Sequence, residues 1–420
     1  MHRRIRTWLL RAGAITTWAA CACAGQAQPL PAGTAPANLK QAFDTAWARQ
    51  PESLTLPARR DAVGAHRRAA QAWTPAPMAL ELSDKTDRLS RNEGARELEV
   101  GVVAPIWLPD ERNRTAALAD AEGAALESRS RAAQLRIAAA VREAWWQWQR
   151  TRIEAATAGG QLDNSRHLAA DVARRVRAGE LARADQHQAD GAMAAAQAGL
   201  AQAEANLAAA RQQLRALTGN SMTENDAVNA DAEPEPAPVS IQAETHATLQ
   251  ELKDRAVLAD RMAALISIQT RAHPEVMLAA TRERGAFGEP FRQTITLGVR
   301  IPFGDGPRHD ARIATARAEA TEAQAQLALA QQRLSAEREA AQARVDAART
   351  QLIAAERRAQ LARETRGFFD KSFRLGETDL PTRLRIEAEA AEAERQAARA
   401  RIELAAAISA WRQALGLIPE

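Results

Sequence analysis

The chain has no tyrosine, only 4% aromatic residues, two cysteines, and no uncharged apolar run long enough to form a membrane-spanning helix. So few aromatics in 420 residues argue against a series of ordinary compact cores. Cys21 and Cys23 both stand near the N-terminus, so the body of the chain carries no disulfide framework. A helical span needs roughly 18 to 20 apolar residues. Here Arg, Glu or Asp recurs every few positions through the helical stretches, and a bilayer would have to be crossed by strands. His2, His66, His167, His187, His246, His273 and His309 form no His-x3-His pair. Neither a Gly-rich phosphate loop nor a nucleophile elbow is present, so no catalysis, cofactor or protein metal site is expected.

The first 27 residues hold Arg3, Arg4, Arg6 and Arg11, no acid, and then an apolar run from Ala12 to Ala24 that ends in small residues. This is the layout of a secretory signal over 1–27, cleaved after Ala24 or Ala27. Setting those four arginines aside leaves 52 basic against 52 acidic residues, so the formal charge of +4 belongs to the leader. A neutral remainder gives no electrostatic motive for nucleic acid. Cys21 and Cys23 are candidate lipid anchors, although neither has the Leu three residues upstream that bacterial lipidation favours.

What the chain has in abundance is Ala-rich helix and a repeat. Residues 38–72 read as helix, 77–107 as a β-hairpin, and 110–218 as helix interrupted near Gly179. Residues 220–243, with Pro234, Pro236 and Pro238 among acids, read as a linker. The pattern then restarts, with helix over 244–272, a hairpin over 274–303 and helix over 308–416. One shift of 197 residues superposes Pro77 on Pro274, Gly101 on Gly298, Pro105 on Pro302, Gly179-Glu180 on Gly376-Glu377, and Gly219 on Gly416. Gly and Pro mark turns and helix ends, so their coincidence predicts two structural repeats, 28–219 and 244–420.

Leu98, Val100 and Val102 alternate with polar residues or Gly, as do Ile295, Leu297, Val299 and Ile301, and Met78-Leu80-Leu82 and Val276-Leu278-Ala280 follow more weakly. The hairpin loops are expected at Ser83–Gly94 and Arg282–Pro290. Strands of about ten residues suit a tilted crossing of a bilayer, but four cannot close a barrel, so several copies would pool theirs. Each long helix of roughly 65 to 69 residues would run ~100 Å at 1.5 Å per residue. A return helix and a shorter helix together match that length. Small Ala side chains let such helices pack closely, whereas the large a and d residues of a plain coiled coil are sparse. The Trp-rich segment Ala144–Trp148 is expected to pack at a helix seam. Trp107, Phe287, Phe291 and Phe303 fall at strand ends, where an interfacial girdle belongs.

Hairpin, long helix, Gly-containing reversal and return helix, given twice, resemble the TolC-type outer-membrane efflux family over essentially the whole chain after the leader. The segments GVVAPIWLPDERNR (101–114) and GVRIPFGDGPRHDAR (298–312) look most like its CzcC-like heavy-metal efflux branch. The resemblance implies a mainly α fold with β: a homotrimer whose four strands per protomer build a twelve-stranded barrel in outer-membrane lipid, continuous with a helical barrel in the periplasm. It also implies a passive, gated duct, not an enzyme, that meets a periplasmic adaptor and an inner-membrane pump of the RND type. The reversals, 175–185 and 372–383, would be the periplasmic tips. There Gly179, Glu180, Leu181, Gly376, Glu377, Thr378 and Leu380 would face the adaptor, and Asp185, Thr382, Arg383 and Arg385 would ring the gate, with Asp185 pairing to Arg383 or Arg385. Two other readings are the same duct serving drug or type I protein export, and a periplasmic adaptor, which would have one helical hairpin where this sequence predicts two.

Overall fold

The computed structural model describes residues 38–90, 92–219, 232–237, 246–304 and 306–420. The expected leader, with Cys21 and Cys23, lies outside these residues, as does most of the expected linker. Along the chain run α1 (Leu39–Ala48), α2 (Pro51–Ala70), β1 (Ala79–Thr86), β2 (Arg96–Pro105), α3 (Glu111–Arg177), α4 (Arg183–Thr218), α5 (Ala247–Ile268), β3 (Glu275–Arg284), β4 (Arg292–Arg300), α6 (Gly306–Arg374) and α7 (Leu380–Ala414).

The single helix expected over 38–72 is two. Gln50 precedes Pro51 and takes the extended conformation, φ −73° and ψ 140°, because the proline ring crowds a helical residue before it. Pro51 then opens α2, where a missing N–H costs nothing. The repeat shift fits the remaining boundaries to within two residues. Gly179 and Gly376 have φ of +81° and +80°, and Gly219 and Gly416 both have +80°, left-handed conformations that an L side chain resists. Among the described residues α1 has no counterpart in the second repeat.

The helices form a wall on two levels. On the sheet side α2 packs on α3, α3 on α5 and α5 on α6; on the reversal side α4 packs on α3, α3 on α7 and α7 on α6. The two long helices, of 67 and 69 residues, run through both levels. At the waist a core gathers Leu39 and Phe43 of α1, Trp145, Trp146 and Trp148 of α3, Leu207 and Leu214 of α4, and Ile402 of α7. The Trp cluster therefore packs at the helix seam as expected, and the Trp146 ring N–H donates to Ser409 Oγ at 2.9 Å.

The described part of the linker is anchored there. Glu233 is buried, with Oε1 and Oε2 accepting from the Arg142 guanidinium at 2.7 and 2.9 Å, and Arg412 Nε lies 3.3 Å from Oε1. Arg142 also donates to Gln413 Oε1 and Leu417 O, and Arg412 to Pro234 O. One carboxylate thus ties the linker to both repeats. Removing it would leave the buried Arg142 guanidinium without a counter-charge, a change that costs about 3 to 5 kcal/mol in comparable sites, while Arg412 would keep Glu420 at 2.9 Å. Glu233→Ala should therefore lower the unfolding midpoint in denaturant markedly, while Glu235→Ala, which breaks the exposed pair with Arg349 at 2.5 Å, should leave it nearly unchanged.

Candidate functional site

The four strands form one antiparallel sheet in the order β1-β2-β3-β4, so β1 and β4 are its free edges. Register aligns the apolar residues of every strand in rows. Leu80, Val102, Leu278 and Leu297 make one row, and Leu82, Val100, Ala280 and Ile295 the next. Because alternate residues share a face, these rows lie on one side, and Ile295 there is 80% exposed. The opposite side carries Glu81, Glu99, Thr281, Thr294 and Thr296. Between them Gly101 faces Ala279, and a Cβ at Gly101 would sit 3.3 Å from that of Ala279, so the small pair lets β2 and β3 approach closely.

Aromatics mark both ends of the strands. Phe287 and Phe291 lie at the loop end, under the guanidinium groups of Arg284 and Arg282. Trp107 and Phe303 lie at the helix end, where the Trp107 ring N–H donates to Ala72 O at 3.1 Å. Trp73, almost fully exposed at the same end, joins them; it lies one residue past the expected helix and carried no strand signal.

Where sheet meets helices, Glu111 at the start of α3 is buried and accepts from Leu108 N, from Gln269 Nε2 at 2.7 Å and from His273 Nε2 at 3.0 Å. Burial pushes this carboxyl up, but the donors from Gln269, Leu108 and His273 outweigh it and hold Glu111 below the usual carboxylate range. It joins the start of one long helix to the segment that feeds β3.

At the other end the two reversals are packed together. Val172, Leu181 and Ala189 of the first repeat share a cluster with Phe373 and Leu380 of the second. Arg175 fastens them, with its guanidinium over the Phe373 ring at 4.9 Å, NH1 donating to Phe373 O at 3.2 Å and Nε to Glu180 at 2.9 Å. Gly179, Glu180, Gly376 and Glu377 are exposed at the turns, and Thr378 hydrogen-bonds Ser372 at 2.6 Å. Leu380 departs from expectation. As the first residue of α7 it folds back onto Phe373 and is 2% exposed, so it holds the tip together and offers a partner nothing. Leu375, 74% exposed one residue before the Gly, is the apolar side chain that the second tip presents.

The expected gate residues are brought to the same level but not to each other. Arg383 reaches Asp370 at 2.7 Å and Glu387 at 3.7 Å, and Arg385 reaches Glu389 at 2.7 Å. Asp185 instead accepts from the Ala182 N–H at 3.0 Å. In the second repeat Asp379 accepts from the Thr382 N–H at 3.1 Å. The 197-residue shift puts Ala182 on Asp379 and Asp185 on Thr382, so each repeat uses one half of a capping box at the same helix start.

The Thr382 hydroxyl and N–H hold Asp379 below the usual carboxylate range. Its cap therefore stabilises the tip fully above the ordinary Asp value and is lost as pH falls through the lowered one. The protection factor of the Thr382 amide, the intrinsic exchange rate over the observed rate at the same pH, should fall on acidification over that range, and Asp379→Asn, which retains an acceptor, should flatten the response. Leu380→Ala, a large-to-small change in the tip cluster, should cost about 2 to 5 kcal/mol and open 372–383 to proteases, whereas Leu375→Ala should not.

Residues 43–220 match the family model described as outer membrane efflux protein. The fold is shared with outer-membrane channel structures. CusC superposes with a TM-score of 0.72 at 16% identity, over 93% of this chain and 96% of that one. VceC from Vibrio cholerae gives 0.71 at 18%, over 91% and 97%. The open state of MtrE from Neisseria gonorrhoeae gives 0.70 at 16%, over 90% and 89%. No curated protein sequence matches the chain.

Proposed function

We propose that the chain is one protomer of a homotrimeric outer-membrane duct, the passive exit of a tripartite efflux system. The observation that carries this reading is the sheet, apolar on one face and unpaired at both edges, mounted on a helical wall ~100 Å long at 1.5 Å per residue. In lipid every strand edge must be paired, and three copies joined β4 to β1 would close twelve strands. The face with Glu81, Glu99 and the threonines then lines the lumen, and the Leu80 and Leu82 rows meet lipid. Barrel in the outer membrane and helices in the periplasm follow from that placement. The family match of the first repeat and the shared channel fold support it.

In this reading the tips meet a periplasmic adaptor through Gly179, Glu180, Leu181, Gly376, Glu377 and Thr378. The mouth lies at the level of Asp185, Thr382, Arg383 and Arg385. Opening would move α7 against α6, so it must loosen the Arg383 contact to Asp370 and the Arg366 contacts to Glu387 and Glu394. Cargo is chosen by an inner-membrane pump, here proposed as an RND-type exporter of heavy-metal cations on the strength of the resemblance of 101–114 and 298–312. Drug or type I protein export uses the same duct, and deletion that sensitises cells to metals and not to drugs separates the cases. The adaptor reading, with a single helical hairpin, is disfavoured by the two hairpins, α3 with α4 and α6 with α7.

Purified protein in detergent should have the mass of three chains and conduct in planar bilayers; a non-conducting monomer overturns the proposal. Leu297→Arg, which places a charge in the apolar belt, should cost about 2 to 4 kcal/mol near the bilayer midplane and reduce the conducting fraction. Thr296→Arg, on the lumen side, should leave insertion intact and alter conductance.

A further inference from the structure

The lower half of α6 carries large apolar side chains that no described residue covers. Ile353, Leu361, Phe368 and Leu375 are all exposed and follow one another at intervals of eight, seven and seven residues, one stripe of a helix about 33 Å long at 1.5 Å per residue. Helix α6 is a margin of the wall, packed on α5 and α7. The opposite margin at that level is α4, which packs on α3. Its outer face bears the reverse pattern. Ala184, Gly191, Ala198 and Ala205 are exposed at strict intervals of seven, and no Cβ built on Gly191 would meet an atom within 4 Å.

The two stripes fit one register. The helices run in opposite directions, so Leu375 opposite Ala184 puts Phe368 opposite Gly191, Leu361 opposite Ala198, and Ile353 within one residue of Ala205. Tip geometry gives that register independently. The reversals are packed together, which places the end of α6, Arg374, level with the start of α4, Arg183, and the match is within two residues, about 3 Å. Charge agrees as well. The same register sets Lys371 beside Asp190 and Arg357 beside Glu204, both on one flank of the stripe. None of these four residues has an ion-pair partner among the described residues.

We infer that this face of α6 docks onto α4 of a second copy of the chain, with Leu375, Phe368, Leu361 and Ile353 as knobs seated on Ala184, Gly191, Ala198 and Ala205. The inference rests on the ring reading above and adds its lower seam. Strand order makes the two continuous: β1 follows α2 on the α4 margin and β4 leads into α6, so joining β4 to the next β1 brings these margins together. Large-on-small packing brings two helices close while the charge pairs fix their register. Burying four such side chains per seam supplies apolar contact that the Ala-rich rods otherwise lack.

The test is cysteine cross-linking in the full chain, with wild type as control for Cys21 and Cys23. Under mild oxidant Phe368→Cys with Gly191→Cys should give covalent dimers and trimers, whereas Phe368→Cys with Ala205→Cys, out of register, should not. Chains carrying one change each should cross-link when coexpressed. Lys371→Glu should weaken the detergent-resistant oligomer, and adding Asp190→Lys should restore it. A trimeric mass with adducts only from the out-of-register pair, or from neither, overturns this seam and leaves the duct standing. An adduct of Phe368→Cys with a different protein gives the face to that partner and also overturns it. A monomeric mass removes the ring itself.

Discussion

Two strand edges left unpaired among the described residues govern the rest of this molecule. β1 and β4 each present a ladder of unpaired amide and carbonyl groups beside an apolar face. Water can satisfy those groups, but then the Leu80 and Leu82 rows stay wet; lipid covers the rows, but then the edges must pair. Both demands are met together only when the edges join other copies in a closed ring. In the proposed ring each helix margin continues from a sheet edge, with α6 on one side of the wall and α2 with α4 on the other. The Ala-rich composition follows from the same geometry, since helices in a closed wall need two close seams and one wet face.

A wall of long helices bearing a small sheet needs firm joints, and buried carboxylates supply them. Glu111 gathers the α3 start, Gln269 and His273 where the strands enter, so the sheet cannot tilt freely against the rods. Glu233 gathers Arg142 and Arg412 at the waist, where the long helix of the first repeat passes the return helix of the second. Each carboxylate has at least two donors, the condition under which a buried charge is tolerable. The tips lack an equivalent buried acid. Their cohesion comes from the Phe373 and Leu380 cluster and the Arg175 staple, a set that suits the opening proposed for the tips.

The doubling of the fold was legible because its punctuation is conformational. Gly179, Gly219, Gly376 and Gly416 stand where φ is positive, and few other residues serve there. The strands were legible because the two-residue period shows in residue type. The break before Pro51 was also present in sequence, but the apolar pattern on either side outweighed one proline. Glu233 could not have been found this way: in a chain with 56 basic and 52 acidic residues, nothing local distinguishes the acid that meets arginines 91 and 179 positions away. Leu380 misled for a related reason, because a leucine at a helix start faces a partner or its own turn according to packing that only the neighbouring reversal determines. The stripe on α6 is diluted by the alanines around it and emerges only once exposure separates Ile353, Leu361, Phe368 and Leu375 from apolar residues that are covered.

The disagreement between the repeats just past the tips, Asp185 against Thr382, turns out to be an agreement in a different form. Position 182 or 379 must cap a helix, and position 185 or 382 lies three residues on. The first repeat puts the acid at the later position and lets it reach back to the Ala182 N–H; the second puts it at the earlier one and lets it reach forward to the Thr382 N–H. Either satisfies one donor at the helix start and sets a negative group against its dipole. The acid is therefore required by the turn whether or not a gate exists, and its presence at a tip says little about gating. What distinguishes the second tip is the chain just beyond, where Arg383 is held between Asp370 of α6 and Glu387 of α7. A contact that bridges the two arms of one hairpin, close to its reversal and with little exposure, resists any twist of α7 away from α6. In the proposed ring the resistance to opening would thus sit inside each protomer, and the seam between protomers would set the register.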